Sequence, residues 1–343
     1  MEGLGGAPGG VPGWRRRGAV AAGLIAGALL LGAVPAGSWA SPPAQAPAPG
    51  GPRPPRAGGA APSPVFTPPW TPTAAAAARP PLAFSPARLA AHPPPALPGL
   101  AVAAILVDLD TRTVLWERHG LEQRATASLA KLMTVLVALD QAPPSRVVTV
   151  PAAATAFDPA DDTLMGLGAG QRWTIRELLY GVFLVSGNDA AETLARTILP
   201  RPAFIAAMND EARRLGLSGT HFANPTGLDA AGGVSTAYDM AVLATWLLEH
   251  HPLVAAIAEQ PRVWLFARPG HPEVDLVNLN KLVTWPYPGA TGLKTGFTDA
   301  AGGCLVATAE RGHRHLLAVV LGSPLMFTDA ERLFDYGFAQ VRG

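Results

Sequence analysis

The chain reads as an α/β (α+β) domain. One antiparallel sheet is formed by both ends of the domain, helices pack on it, and an all-helical subdomain is inserted between the strands. Three observations lead there. Extended apolar runs open the foldable region, at 101–109 and 113–117, and return near its end, at 263–267, 291–297, 304–310 and 315–321. Between them apolar residues recur at helical spacing. A composition break near Leu100 leaves about 240 residues, enough for one large core.

Residues 1–40 read as an export signal. Arg15-Arg16-Arg17 precede a charge-free, mostly apolar stretch over 18–34, and Ser38-Trp39-Ala40 is a small-x-small cleavage site before Ser41. The apolar stretch is also close to the ~20 residues that span a bilayer, so an uncleaved N-terminal anchor is the alternative. Both readings put the rest of the chain outside the cytoplasm. Residues 41–99 are rich in proline, alanine and glycine, with arginine as the only charged type, and are expected to be an extended, semi-stiff linker. The folded domain is then 100–343.

Within it, 101–109 is a buried strand, and Asp110-Thr111 turns the chain into 113–117. Leu132, Val135, Leu136 and Leu139 mark a helix that starts near Ser128. Residues 151–173 are irregular. Asp158, Asp161 and Asp162 crowd there without the Asp-x-Asp-x-Asp-Gly calcium pattern, which predicts a solvated loop. Thr174 and Glu177 form a capping box opening a helix to 185. Ser186-Gly187-Asn188 breaks it, and Asp189 with Glu192 is expected to cap the next helix. A further helix covers 203–215, Asn224-Pro225-Thr226-Gly227 is a turn, and Thr236 with Asp239 starts a helix to about 250. Residues 328–340 close the domain as a helix.

Composition narrows the function. A net charge of +1 over 343 residues makes no electrostatic case for a nucleic-acid partner. The single cysteine, Cys304, excludes an intrachain disulfide and reads as a packed small hydrophobe. The eight histidines show no metal-ligand spacing, so no metal site is expected. Of 26 basic residues, only Lys131, Lys281 and Lys294 are lysine. Arginine cannot lose its proton in a protein, whereas a buried lysine can, so a lysine retained against this bias suits a base.

Ser128 and Lys131 lie one helical turn apart on the apolar stripe. A lysine aimed at a core is desolvated, its pKa falls, and the neutral amine can take a proton from the neighbouring hydroxyl. By itself the pair also fits a serine N-cap and a snorkelling lysine. The other segments decide between them: Ser186-Gly187-Asn188 at a helix-to-helix corner, and Lys294-Thr295-Gly296 on a strand with glycine on both sides.

In that order and spacing the three segments resemble the penicillin-recognising serine enzymes. More narrowly, the chain is similar to the D-alanyl-D-alanine carboxypeptidase family (low-molecular-weight penicillin-binding proteins, peptidase family S11). The marks are Ala127-Ser128-Leu129-Ala130-Lys131-Leu132-Met133-Thr134, Ser186-Gly187-Asn188-Asp189-Ala190-Ala191, His221-Phe222-Ala223-Asn224-Pro225-Thr226-Gly227-Leu228 and Gly292-Leu293-Lys294-Thr295-Gly296-Phe297-Thr298.

The resemblance implies the β-lactamase/transpeptidase-like fold and a site in the cleft between sheet and helical subdomain. Ser128 would be the acylated nucleophile and Lys131 its general base. Ser186 would relay the proton to the leaving amine, and Asn188 would hold the substrate amide. Lys294, Thr295 and Gly296 would bind the substrate, with the first two taking its C-terminal carboxylate. The backbone N–H groups of Ser128 and Phe297 would form the oxyanion hole, worth roughly 3–4 kcal/mol per donor. The implied substrates are peptidoglycan stem peptides, with β-lactam antibiotics as covalent inhibitors. No cofactor or nucleic acid is implied, and membrane contact comes only through a possible uncleaved N-terminal segment. Many family members carry a β-rich domain and an amphipathic anchor after the catalytic domain. This chain ends at Gly343, so both are expected to be absent. Phe297 stands where some relatives have histidine, which predicts altered substrate preference.

The rival readings are a D,D-endopeptidase, a serine β-lactamase and a non-catalytic peptidoglycan-binding protein. A β-lactamase needs a water-activating group, commonly in a Glu-x-x-Leu-Asn loop, and neither Glu192 nor Glu211 has that context. A binding protein would be signalled by loss of Ser128, Lys131 or Lys294, and all three are present.

Overall fold

The computed structural model describes residues 82–85, 89, 95–99 and 101–340. The expected export signal or anchor over 1–40 lies outside the described residues, as does most of the expected linker.

Strand β1 (Ala103–Asp108) turns into β2 (Thr113–Arg118), with the Thr111 N–H donating to Asp108 Oδ1 at 3.0 Å. At the other end lie β7 (Ala290–Thr298), β8 (Gly302–Arg311) and β9 (Arg314–Leu321). The five pair antiparallel in the order β2-β1-β9-β8-β7, so β1 joins the end of the domain along a register from Ala103↔Leu321 to Asp108↔Leu316. The sheet expected from both chain ends is the one observed.

Both faces of this sheet are covered, which explains why its strands read as unbroken apolar runs. Side chains alternate across a strand. Ala103, Ile105, Val107, Val306, Val319 and Cys304 therefore pack in the core shared with the inserted helices. Ala104, Leu106, Leu305, Ala307 and Leu316 pack in the other core, with Leu333 and Phe334 of the last helix, Met326–Ala339.

The insertion begins with a 3₁₀ turn, Ala127–Ala130, that runs into α1 (Lys131–Gln141). Every residue of α1 from Lys131 to Leu139 is buried. Sequence spacing predicted an apolar stripe; the helix is instead enclosed on all sides, as one apolar around most of its girth must be. α2 (Ile175–Leu184) packs on α3 (Asn188–Ile198) and α6 (Pro252–Ala258), while α3, α4 (Arg201–Arg214) and α5 (Ala237–His250) pack against α1. A short α7 (Lys281–Thr284) precedes β7, and Met326–Ala339 is α8.

Four expectations need correction. The middle region is not all helical: β3 (Val147–Thr149) pairs with β4 (Arg172–Thr174). The expected strand at 263–267 is β5 (Arg262–Leu265), which pairs with β6 (Val274–Val277) in a separate ribbon rather than in the main sheet. Neither Asp189 nor Glu192 caps α3 as an N-cap side chain. The Asp189 carboxylate reaches outward to the N–H groups of Met165, Gly166 and Leu167, and Glu192 pairs with Arg196 and Arg201. Finally, ordered packing starts before Leu100. Leu82 and Leu97 are buried, the Ala83 N–H donates to Arg112 O, and the Gly99 N–H donates to Asp329 Oδ1 at 2.8 Å. Apolar side chains within the proline-rich stretch thus find places in the two cores.

Candidate active site

The site is assembled where the 3₁₀ turn, the α2–α3 corner and β7 converge. Ser128 precedes α1 rather than lying in it. In a 3₁₀ turn residues three apart eclipse one another, and Lys131 Nζ stands 2.6 Å from Ser128 Oγ. Ser128 makes no N-cap; the turn is entered through Thr126 and Ala127, the latter with a left-handed φ of 48°.

Lys131 is fully buried, and its amine has two more oxygens around it, Asn188 Oδ1 at 2.7 Å and Thr226 O at 2.9 Å. Burial holds its pKa well below the usual lysine range. Lys294 adds to that lowering, while Asp162 and Asp189 oppose it. Lys294 is likewise fully buried and donates to Ser186 Oγ at 2.8 Å and to Thr295 O at 2.6 Å. Desolvation brings Lys294 down to about 7. Each of the two buried amines, its proton affinity lowered by burial, thus lies against a serine hydroxyl. An amine 2.6 Å from a hydroxyl, with its proton affinity cut by burial, can act as a base toward it.

Ser186 forms the break between α2 and α3 with a left-handed φ of 57°, a conformation costly for a residue with a Cβ and held by its surroundings. The Thr163 hydroxyl donates to Ser186 O at 2.9 Å, and the Asn188 N–H donates to Thr163 O at 2.8 Å. On β7, a Cβ at Gly296 would lie 3.0 Å from the Ser128 nitrogen, tighter than an ordinary contact, so glycine lets the strand lie close against the turn. Phe297, next along the strand, turns its side chain to solvent and is 68% exposed. Ser128, Lys131, Ser186, Asn188, Lys294, Thr295 and Gly296 are thus brought to one place.

Sequence reasoning missed three contributors. The segment 224–227 reads in the sequence as a turn and as part of a family mark, with no role in the site. Here Asn224 Oδ1 accepts from the Thr226 and Gly227 N–H groups, which presents the Thr226 carbonyl to Lys131. Thr134, one turn after Lys131, donates to Pro225 O at 2.7 Å and ties the same turn to α1. Asp162, expected in a solvated loop, is half-buried and accepts from Asn188 Nδ2 at 2.7 Å. No local pattern marks these three as belonging together, since each contact crosses more than 20 residues of chain.

The family model of the D-alanyl-D-alanine carboxypeptidases (peptidase S11) matches residues 90–324. The D-alanyl-D-alanine carboxypeptidase DacB2 of Mycobacterium tuberculosis is 37% identical over 249 residues, covering 70% of this chain and 83% of that protein. DacF of Bacillus subtilis is 33% identical over 258 residues, and the match takes in 70% of this chain but 62% of DacF. Among solved structures, a D-alanyl-D-alanine carboxypeptidase from Mycobacterium tuberculosis superposes with a TM-score of 0.67 at 36% identity, over 74% of this chain and 96% of that one. The Streptomyces K15 DD-transpeptidase gives 0.65 at 31%, over 70% and 97%. The matched span takes in all three segments of the site, and the chain belongs to the D-alanyl-D-alanine carboxypeptidase family.

Proposed function

We propose that the protein removes the terminal D-alanine from peptidoglycan stem peptides by acyl transfer to Ser128, in the service of cell-wall biogenesis. The observation that carries this is the Ser128 Oγ to Lys131 Nζ contact of 2.6 Å with Lys131 wholly out of water. In this reading Oγ attacks the carbonyl of the penultimate D-alanine and its proton passes to Lys131 Nζ. The oxyanion is met by the backbone N–H groups of Ser128 and Phe297. Collapse of the tetrahedral species breaks the C–N bond, and the proton reaches the departing amine through Ser186. Water then hydrolyses the ester and returns Ser128 to its starting form. Asn188 holds the substrate amide, and Lys294 with Thr295 takes its terminal carboxylate beside Gly296.

A penicillin would acylate Ser128 by the same attack and leave slowly. The β-lactamase alternative is disfavoured by the glutamates it would need. Glu192 is clamped by Arg196 and Arg201, and Glu211 pairs with Arg214. We place the reaction outside the cytoplasm on the strength of the Arg15-Arg16-Arg17 and 18–34 pattern, with that segment, if uncut, as the membrane contact.

The test treats the full-length chain with a labelled penicillin, maps the adduct, and assays D-alanine release from a diacetyl-Lys-D-Ala-D-Ala-type peptide. A persistent adduct on Ser128 together with free D-alanine is expected. An adduct elsewhere, or none, overturns the reading of the site; fast β-lactam turnover makes the protein a β-lactamase; an adduct with no D-alanine points to an endopeptidase.

The pH profile carries a further expectation. Lys294 grips a carboxylate only as an ammonium, and in the free enzyme it loses that proton as pH rises through about 7. The kcat/KM for a carboxylate-terminated peptide should therefore fall on the alkaline side from about pH 7. A bound carboxylate favours the ammonium, so the alkaline limb of kcat should lie higher. A kcat/KM unchanged through that range would mean that the charge of Lys294 is not used.

A further inference from the structure

Asn188 is gripped from two sides. Its Nδ2 donates to Asp162 Oδ1 at 2.7 Å, and its Oδ1 accepts from Lys131 Nζ at 2.7 Å. An amide has a donor end and an acceptor end, whereas an ionised carboxylate only accepts. Asp162 therefore dictates which end of the amide meets Lys131, and that end is the oxygen.

The consequence falls on the proton. Neutral lysine carries two N–H donors and one lone pair. Asn188 Oδ1 and Thr226 O are both pure acceptors, so together they occupy the two donors. The lone pair is left to the one neighbour that carries a proton, the Ser128 hydroxyl at 2.6 Å. With the amide turned over, Nδ2 would face Lys131 and compete with Ser128 for the lone pair.

Resting on the acyl-transfer reading, we propose that Asp162 is a positioning residue that acts through Asn188 to aim the lone pair of Lys131 at Ser128. The loop that carries it is built to hold it there. The carboxylate of Asp189 gathers the N–H groups of Met165, Gly166 and Leu167, and Thr163 bonds to both Ser186 and Asn188. Asp162 Oδ2 accepts from the Asp158 N–H at 3.3 Å, and Asp162 makes no salt bridge among the described residues. Asp162 uses one Nδ2 proton and leaves the other for a substrate carbonyl.

Orientation and charge can be separated. The charged groups that act on Lys131 are Lys294 on β7, Asp189 on α3 and Asp162 on the loop. The two carboxylates favour the ammonium form and Lys294 disfavours it. Removing the Asp162 carboxylate thus leaves Lys131 more readily neutral, and the acid limb of acylation moves to lower pH. That shift reports only the lost charge; recovery of the rate by a side chain that restores the carbonyl to Asn188 Nδ2 is what a role limited to charge or to packing would not produce.

The experiment measures the second-order rate of acylation by a fluorescent penicillin across pH for the full-length chain, Asp162→Ala and Asp162→Asn, with melting midpoints. Asp162→Ala is expected to lower the plateau about tenfold, the size of one lost hydrogen bond to a charged group, and to shift the acid limb to lower pH. Asp162→Asn keeps a carbonyl for Nδ2 but not the charge. It should show the same shift of the limb and recover part of the plateau. An unchanged plateau in Asp162→Ala, or a lowered one that Asp162→Asn does not partly recover at an unchanged melting midpoint, overturns the proposal. An adduct that maps away from Ser128 in the unmodified chain would overturn the acyl-transfer reading as well, so the two failures are distinguishable.

Discussion

Lys131→Arg should acylate with penicillin about a thousandfold more slowly than the unmodified chain, within the range for loss of a general base. The substitution keeps a long basic side chain at this position. What it removes is a group that can be neutral, because a guanidinium does not give up its proton in a protein. Lys131 is suited to the neutral state: it is completely buried, it lies near a second buried amine, and both push its proton affinity down. Arginine is also longer than lysine, so Lys131→Met serves as companion, close in length but without charge or base. If both variants acylate slowly while their melting midpoints stay near that of the unmodified chain, the missing base is the cause. Rapid acylation by Lys131→Arg would end the case for Lys131 as the proton acceptor.

Gly227→Ala should damage the site from behind. Gly227 has a φ of +79°, and a Cβ on it would lie 1.9 Å from Ala127 O and 3.1 Å from Ala130 Cβ. Those atoms belong to the 3₁₀ turn that carries Ser128, so the turn or the 224–227 segment must move. The left-handed backbone costs an alanine about 1–2 kcal/mol, and forced overpacking adds about 1–3 kcal/mol. In a domain of this size the melting midpoint should fall by about 5–15 °C, at roughly 2–4 °C per kcal/mol. Acylation should slow as well, because the Thr226 carbonyl and Ser128 are both displaced from Lys131. Gly232→Ala is the control. Its φ of +80° carries the same backbone cost, but its Cβ would meet nothing nearer than His221 Nδ1 at 3.8 Å. Equal losses in the two variants would mean that backbone strain alone is at work and that Ser128 is not held through Gly227.

Much of the site was legible in the chain because its chemistry is concentrated in short segments. Ser128 with Lys131, and Lys294 with Thr295 and Gly296, are local groupings whose residue types restrict what they can do. A lysine-poor composition made two of the three lysines conspicuous. The origin of the sheet in both chain ends was legible for a similar reason. Buried strands covered on both faces are continuous apolar runs, and runs of strand length bounded by turn residues lie at both ends of the domain. The ribbon of β5 and β6 escaped because an isolated pair reads like a strand of the main sheet, and only its partner distinguishes them.

The sequence by itself determined which groups are candidates for the chemistry, since the serine–lysine pair and the Lys294-Thr295-Gly296 triplet are each covalently local. Tertiary structure alone decided how they are aimed. The left-handed Ser186, the Thr226 carbonyl on Lys131 and the carboxylate of Asp162 on Asn188 depend on contacts between segments far apart in the chain. The low proton affinity of both lysines is of the same kind. A lysine is basic in any exposed helix or strand, and it becomes a neutral amine only when packing on every side takes its water away.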